Sequence, residues 1–187
     1  MKTGIVDGLV EHLWPHGDPL DGPQVFAVVD AARNPRIAMM LTETGLEQVG
    51  LFAGPLSPAL QAAAPRLVHL SPRARLTRPL FESGWDEHWF VLLRVAPDIT
   101  LEALRCHLRT LLRVRDEAGR ILLFRFYDPR VLRAYLPTCT SNEAATVFGP
   151  IFEFTCAARD PGSEITFRRT RTGVAATTQA LEAIGVP

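Results

Sequence analysis

The reactive side chains of this sequence are five histidines, three cysteines, a few placed carboxylates and a long series of arginines. His12 and His16 have the i, i+4 spacing of metal ligands on a helix, but Pro15 lies between them and breaks that geometry. No third ligand is evident nearby, so they read as polar residues at a helix end. No metal or other cofactor is expected. Cys106, Cys139 and Cys156 are odd in number and form no CxxC, which argues against a disulfide framework and fits a reducing compartment. A Cys–His nucleophilic pair would meet only in space; buried cysteines acting as small hydrophobes are commoner. Asp30 follows an apolar run and precedes Arg33 by three residues. A carboxylate at the C-terminal end of a strand is a frequent active-site position and a frequent turn or cap residue; with no partner motif, the structural reading is preferred. Arg105, Arg109 and Arg113 repeat at i, i+4, i+8. With Arg115, Arg120, Arg125, Arg130 and Arg133 they give residues 100–136 eight basic against four acidic side chains. Such a row suits an acidic partner, or a solvated face whose aliphatic stems cover apolar surface. Trp85 and Trp89 bracket a charged turn and read as core or as interface anchors. Core is preferred for Trp89, because strand residues follow it directly.

Absent motifs narrow the field. The sequence contains no GxxxxGK[ST], no GxGxxG after a strand, no HExxH and no GxSxG. The commonest nucleotide, zinc and hydrolase chemistries need those spacings. Lys+Arg and Asp+Glu are both 20, and a formal charge of zero argues against a dedicated nucleic-acid binder. Residues 1–60 carry a net −4 and residues 61–187 a net +4. Nineteen of the 20 cations are arginine, which reads as codon bias in a GC-rich genome. With 47% hydrophobic and 21% charged residues over 187 positions, the chain can bury a real core. The N-terminus has no apolar stretch of signal-peptide length, and no window approaches the ~18 apolar residues of a membrane span. The expectation is a soluble cytoplasmic protein that touches neither membrane nor nucleic acid.

Short elements must position these residues, because 15 Pro and 13 Gly punctuate the chain. Helical spacing is expected over 4–14, 35–42, a short alanine-rich segment opened by Ser57-Pro58, and 101–112, capped by Asp98 or Thr100. Strands are expected at 25–29, 49–52, 67–70 and 89–95. The Pro- and Arg-rich stretch 71–84 reads as a loop. Residues 114–126 read as a hairpin, with Gly119 where positive φ is needed. Asp128-Pro129 starts a helix over 129–136, and Ser141 caps another over 142–148. Residues 151–157 and 164–168 read as strands joined by a DPGS turn. The mixture indicates an α+β (mixed α/β) fold. Residues 1–84 are expected to form an N-terminal lobe and 85–169 a C-terminal lobe, with 170–187 a tail that is weakly helical or disordered.

The segment Phe124-Arg125-Phe126-Tyr127-Asp128-Pro129-Arg130 packs a strand, a cap and a basic helix start into seven residues. It resembles the signature of bacterial type VI secretion effector chaperones, or adaptors (Tap or TEC proteins), a family first described as a domain of unknown function. Val28-Val29-Asp30-Ala31-Ala32-Arg33 resembles that family's LLDGAR segment, with Ala31 where Gly is usual. Leu51-Phe52 followed by Gly54, the strand Leu67–Leu70, and His88-Trp89-Phe90 resemble its next steps. Leu104 to Leu112, followed by Val114-Arg115-Asp116, and then Leu136-Pro137 and Phe148-Gly149-Pro150 complete the series; Thr138–Ser141 departs from it. The resemblance covers roughly residues 9–157.

The resemblance implies a non-enzymatic cytoplasmic protein. It would bind a toxin effector and help load it onto the VgrG spike. It also implies two lobes with a groove between them, into which a segment of the effector docks. Asp30, Arg33, Trp89, Arg125, Tyr127, Asp128 and Arg130 are then the partner-binding candidates, organising the lobe junction or lining the groove. The alternatives are a small enzyme with a site near Asp30, or a generic oligomeric interaction protein.

Overall fold

A computed structural model describes residues 2–17, 22–43 and 45–181. The fold is mixed α+β. In chain order the elements are α1 (Lys2–Leu13), β1 (Gln24–Val29), α2 (Pro35–Glu43), β2 (Gln48–Gly50), α3 (Pro58–Ala63), β3 (Arg66–Leu70), α4 (Thr77–Gly84) and β4 (Phe90–Val95). They continue with α5 (Leu101–Leu111), β5 (Arg113–Arg115), β6 (Ile121–Leu123), α6 (Pro129–Tyr135), α7 (Ser141–Phe148), β7 (Ile151–Ala157), β8 (Ser163–Arg169) and β9 (Val174–Ala180).

Seven strands form one antiparallel sheet in the order β2-β3-β1-β4-β7-β8-β9. The expected boundary at residues 84/85 falls between α4 and β4, and the sheet runs across it. β1 pairs with β4 from Gln24↔Val95 to Val29↔Phe90. The two halves of the sequence therefore do not sit side by side on separate sheets; the helices α1, α2 and α4 of the first and α5, α6 and α7 of the second cover opposite faces of one.

Strand alternation explains how. In β1, Val25, Ala27 and Val29 face one core, and Phe26 and Val28 face the other. In β4, Phe90 and Leu92 join the first set, and Val91, Leu93 and Val95 the second. A strand buried on both faces reads as an unbroken apolar run, as VFAVV and FVLL do. The first face is covered by Val6, Leu9 and Leu13 of α1, Ile37 and Leu41 of α2, and Leu80 and Phe81 of α4. The second is covered by Leu104, Leu108 and Leu111 of α5, Leu132 of α6, and Ala144, Val147 and Phe148 of α7.

Three expectations need correction. Residues 77–84, expected as loop, form α4, which buries Thr77, Leu80, Phe81 and Gly84 against α1 and the sheet. Residues 174–180, expected as weak helix or disorder, form the edge strand β9, which pairs with β8 from Ser163↔Ala180 to Arg169↔Val174. Its side chains are mostly exposed, so the backbone ladder rather than apolar burial defines it. Residues 182–187 of that tail lie outside the described residues. The cap of α7 is Thr140, whose hydroxyl accepts from Glu143 N–H while the Glu143 side chain accepts from Thr140 N–H. The cap of α5 is Thr100, one of the two expected candidates.

Candidate functional site

Three stretches of chain meet where β1 leaves the sheet: residues 30–33, 85–89 and 124–133. Asp30 extends the β1–β4 ladder by one step, its N–H donating to Trp89 O at 2.8 Å. The side chain is shut from solvent. Its Oδ1 accepts from Ala32 N–H (3.3 Å) and its Oδ2 from Arg125 Nη2 (2.5 Å). A buried carboxylate requires such partners. Arg33 Nη2 donates to Glu87 O at 3.0 Å, tying the loop after β1 to the turn before β4.

Arg125 follows β6 and reaches back across the junction. Its hydrogen bond to Asp30 holds the guanidinium above its ordinary pKa, outweighing burial. The guanidinium lies 5.9 Å from the centroid of the Tyr127 ring, within cation–π range. Burial pushes the Tyr127 phenol up, and the Asp30 charge adds to that. Asp128 caps α6, with Pro129 at the first helical position. Its Oδ1 accepts from Arg130 N–H and from Arg130 Nε, both at 3.0 Å, and its Oδ2 accepts from Arg130 Nη2 at 2.6 Å. Burial works to raise the Asp128 carboxyl, but the bonds from Arg130 outweigh it and leave the pKa below the ordinary value.

The seven expected residues thus come together, and the structure divides them by role. Asp30, Trp89, Tyr127 and Asp128 are buried and hold the junction from inside. This corrects the placement of Trp89 on a partner-binding face: only 4% of it is exposed, and it packs with Trp85 and Phe90 in the core. Arg33 is half-buried, and the Arg125 and Arg130 side chains are 42% and 51% exposed. Beside Arg130 lies a pocket of about 620 Å³, lined by Phe124, Val131, Ala134, Tyr135 and Thr138 together with Asp128 and Arg130.

Two residues of the junction escape sequence reading. His88 is the one non-glycine described residue with positive φ, at 57°. Burial, then the charges of Arg133 and Arg130, lower its pKa. Arg133 Nη1 donates to the carbonyls of Ala157 and Ala158 at the end of β7. Arg133 stands in the arginine series and His88 beside Trp89, but nothing in the sequence places either at this junction, because the turn 85–89 and the end of β7 reach this corner only once the sheet has formed.

A second concavity of about 580 Å³ has one wall from Leu51, Phe52, Ala53 and Leu56, and the other from α5 and Leu123 of β6. It therefore draws on both halves of the sequence. His12, considered above as a ligand, turns inward. Its Nδ1 contacts Glu164 and its Nε2 lies 3.7 Å from Glu153, two fully buried carboxylates on β8 and β7. Arg94 and Arg168 complete the pairing of Glu153. His16 is exposed. Among the described residues no group of three or more His, Cys, Asp or Glu has an arrangement that could hold a metal ion. No helix among them is long and apolar enough to cross a membrane.

The fold and junction define a mixed α+β protein with a buried carboxylate–arginine corner and flanking apolar concavities. Residues 25–146, about two thirds of the chain, match the family model described as Domain of unknown function (DUF4123), and the chain belongs to that family. No curated protein and no solved structure matches it significantly.

Proposed function

We propose that this protein is a non-enzymatic adaptor. It binds a type VI secretion effector in the cytoplasm of the producing cell and helps bring it to the VgrG spike. Family membership over residues 25–146 carries the reading, since that family is generally associated with such adaptors.

The chemistry of the junction supports binding over catalysis. Asp30, the carboxylate best placed for acid–base work, is committed to Arg125 and the Ala32 N–H. Burial pushes the Cys156 thiol up to about 12 and raises Cys139 as well, which leaves both poor nucleophiles at neutral pH. What faces outward is Arg130 beside an apolar pocket with aromatic walls, Phe124 and Tyr135. Such a pocket fits an apolar anchor, and an arginine at its mouth orients the anchor's chain.

The test is co-expression with a candidate toxin effector from the same genome, followed by size-exclusion chromatography with light scattering. A stoichiometric complex is expected, with the toxin insoluble when made alone. Separate elution of a toxin that is stable alone overturns the reading. Arg130→Gln, which leaves buried Asp128 the backbone N–H bond and an amide donor in place of the guanidinium, is expected to weaken that complex about tenfold while leaving the melting temperature within a few degrees.

A further inference from the structure

The β5–β6 hairpin is the most exposed apolar feature among the described residues. Ile121, Leu122 and Leu123 are 59%, 46% and 52% exposed, and Val114 opposite Leu122 is 39% exposed. Three consecutive exposed apolar residues put both faces of a strand in water, which a solitary two-stranded ribbon tolerates poorly. The ribbon pairs with no other strand among the described residues, so its outer edges offer backbone donors and acceptors. At its base the hairpin opens into the 580 Å³ groove walled by Leu51, Phe52 and Leu56 on one side and by Leu112 and Leu123 on the other.

The groove carries charge of one sign. Arg109 and Arg113 line it, and neither makes an ion pair among the described residues. Neighbouring arginines are already engaged. Arg105 bonds Glu102 and the carbonyl of Gly50, and Arg120 bonds Asp116. The two guanidiniums left over sit against apolar walls, where a carboxylate is attracted more strongly than in open water.

We infer that this groove and hairpin bind an extended acidic segment of a partner polypeptide. Apolar side chains of the segment enter between Leu56 and Leu123, and carboxylates meet Arg109 and Arg113. Free strand edges beside the groove favour a polypeptide over an anionic lipid, since only a chain satisfies their N–H and C=O groups. The inference goes beyond the adaptor reading, because it specifies the chemistry of a segment from any protein partner and uses a surface apart from Arg130.

A fluorescence-anisotropy titration of the full chain tests it. The probe is a short labelled peptide alternating Leu with Glu, and the comparison is the same peptide with Lys for Glu. The acidic peptide is expected to bind at least about tenfold more tightly than the basic one. Arg109→Glu with Arg113→Glu abolishes that preference, and Leu123→Asp weakens binding of the acidic peptide by a similar factor. Leu60→Ser, at an exposed apolar residue of α3, leaves both unchanged. Equal binding of the two peptides, or acidic-peptide binding indifferent to the arginine reversal, overturns the inference. So does a concentration-dependent dimer, seen by light scattering, that Leu123→Asp dissolves, since the surface then belongs to a second copy. No effector enters the titration, so its failure leaves the adaptor reading standing, and the reverse also holds.

Discussion

Asp30 is held at both carboxylate oxygens, and each bond answers its burial. Removing the charge strands the Arg125 guanidinium, but that group keeps access to water, so the cost is modest. Asp30→Asn is expected to lower the stability by about 1–2 kcal/mol. Paired with Arg125→Gln in a double-mutant cycle, it should show a coupling near 1 kcal/mol, read from denaturant midpoints. His88 makes the corner sensitive to pH. Because burial and the Arg133 and Arg130 charges lower its pKa, the unfolded chain takes up a proton there before the folded one does. The stability owed to neutral His88 is complete above the unfolded value of about 6.5. It is lost as pH falls from there toward the folded pKa. Melting temperature between about pH 7.5 and 5.5 should therefore drop more steeply for the natural protein than for His88→Asn, which keeps a side chain tolerant of positive φ. In the sequence Arg125, Asp128 and Arg130 stand together before and at a capped helix start, and only the family resemblance joins Asp30 to them. The sequence does not show the role of His88, whose importance comes from neighbours far along the chain.

At the scale of elements, legibility follows the origin of each element's stability. Helix α5 is plain in the sequence because Leu104, Leu108 and Leu111 carry its burial at helical spacing. Helix α4 buries the same kind of face, but Thr77 and Gly84 occupy two of its inward positions and Leu76 supplies no side-chain cap. Pro79 also lies in its first turn, where proline is tolerated but looks like a breaker. Strand β9 has almost no inward apolar residue and exists because β8 offers a free edge. Glu153 interrupts an apolar run in β7 for a reason visible only in three dimensions, since Arg94 and Arg168 come from other strand positions. Two turns give direct tests. Thr140→Ala removes half of the reciprocal cap on α7 and should cost about 1 kcal/mol. Gly149 ends that helix at φ 49°, and a Cβ there would collide with the His107 ring. Gly149→Ala should cost about 2–3 kcal/mol, the larger loss of the two by thermal denaturation.

At the scale of the molecule, the halves expected as separate lobes are joined through the β1–β4 pairing, so the two helical layers share one sheet. This makes an unusually clean pair of reporters. Trp14, Trp85 and Trp89, all of the tryptophans, pack on one face. Tyr127 and Tyr135, all of the tyrosines, pack on the other. Unfolding either layer alone would uncover apolar sheet residues such as Leu92 or Leu93, at about 1.5–3 kcal/mol for each side chain. Several such residues on each face make a half-unfolded state costlier than one that unfolds the sheet entirely. Tryptophan emission and the fluorine resonances of 3-fluorotyrosine-labelled protein should therefore report the same urea midpoint and the same slope. Separate midpoints would mean that the two helical layers unfold independently despite the strands they share.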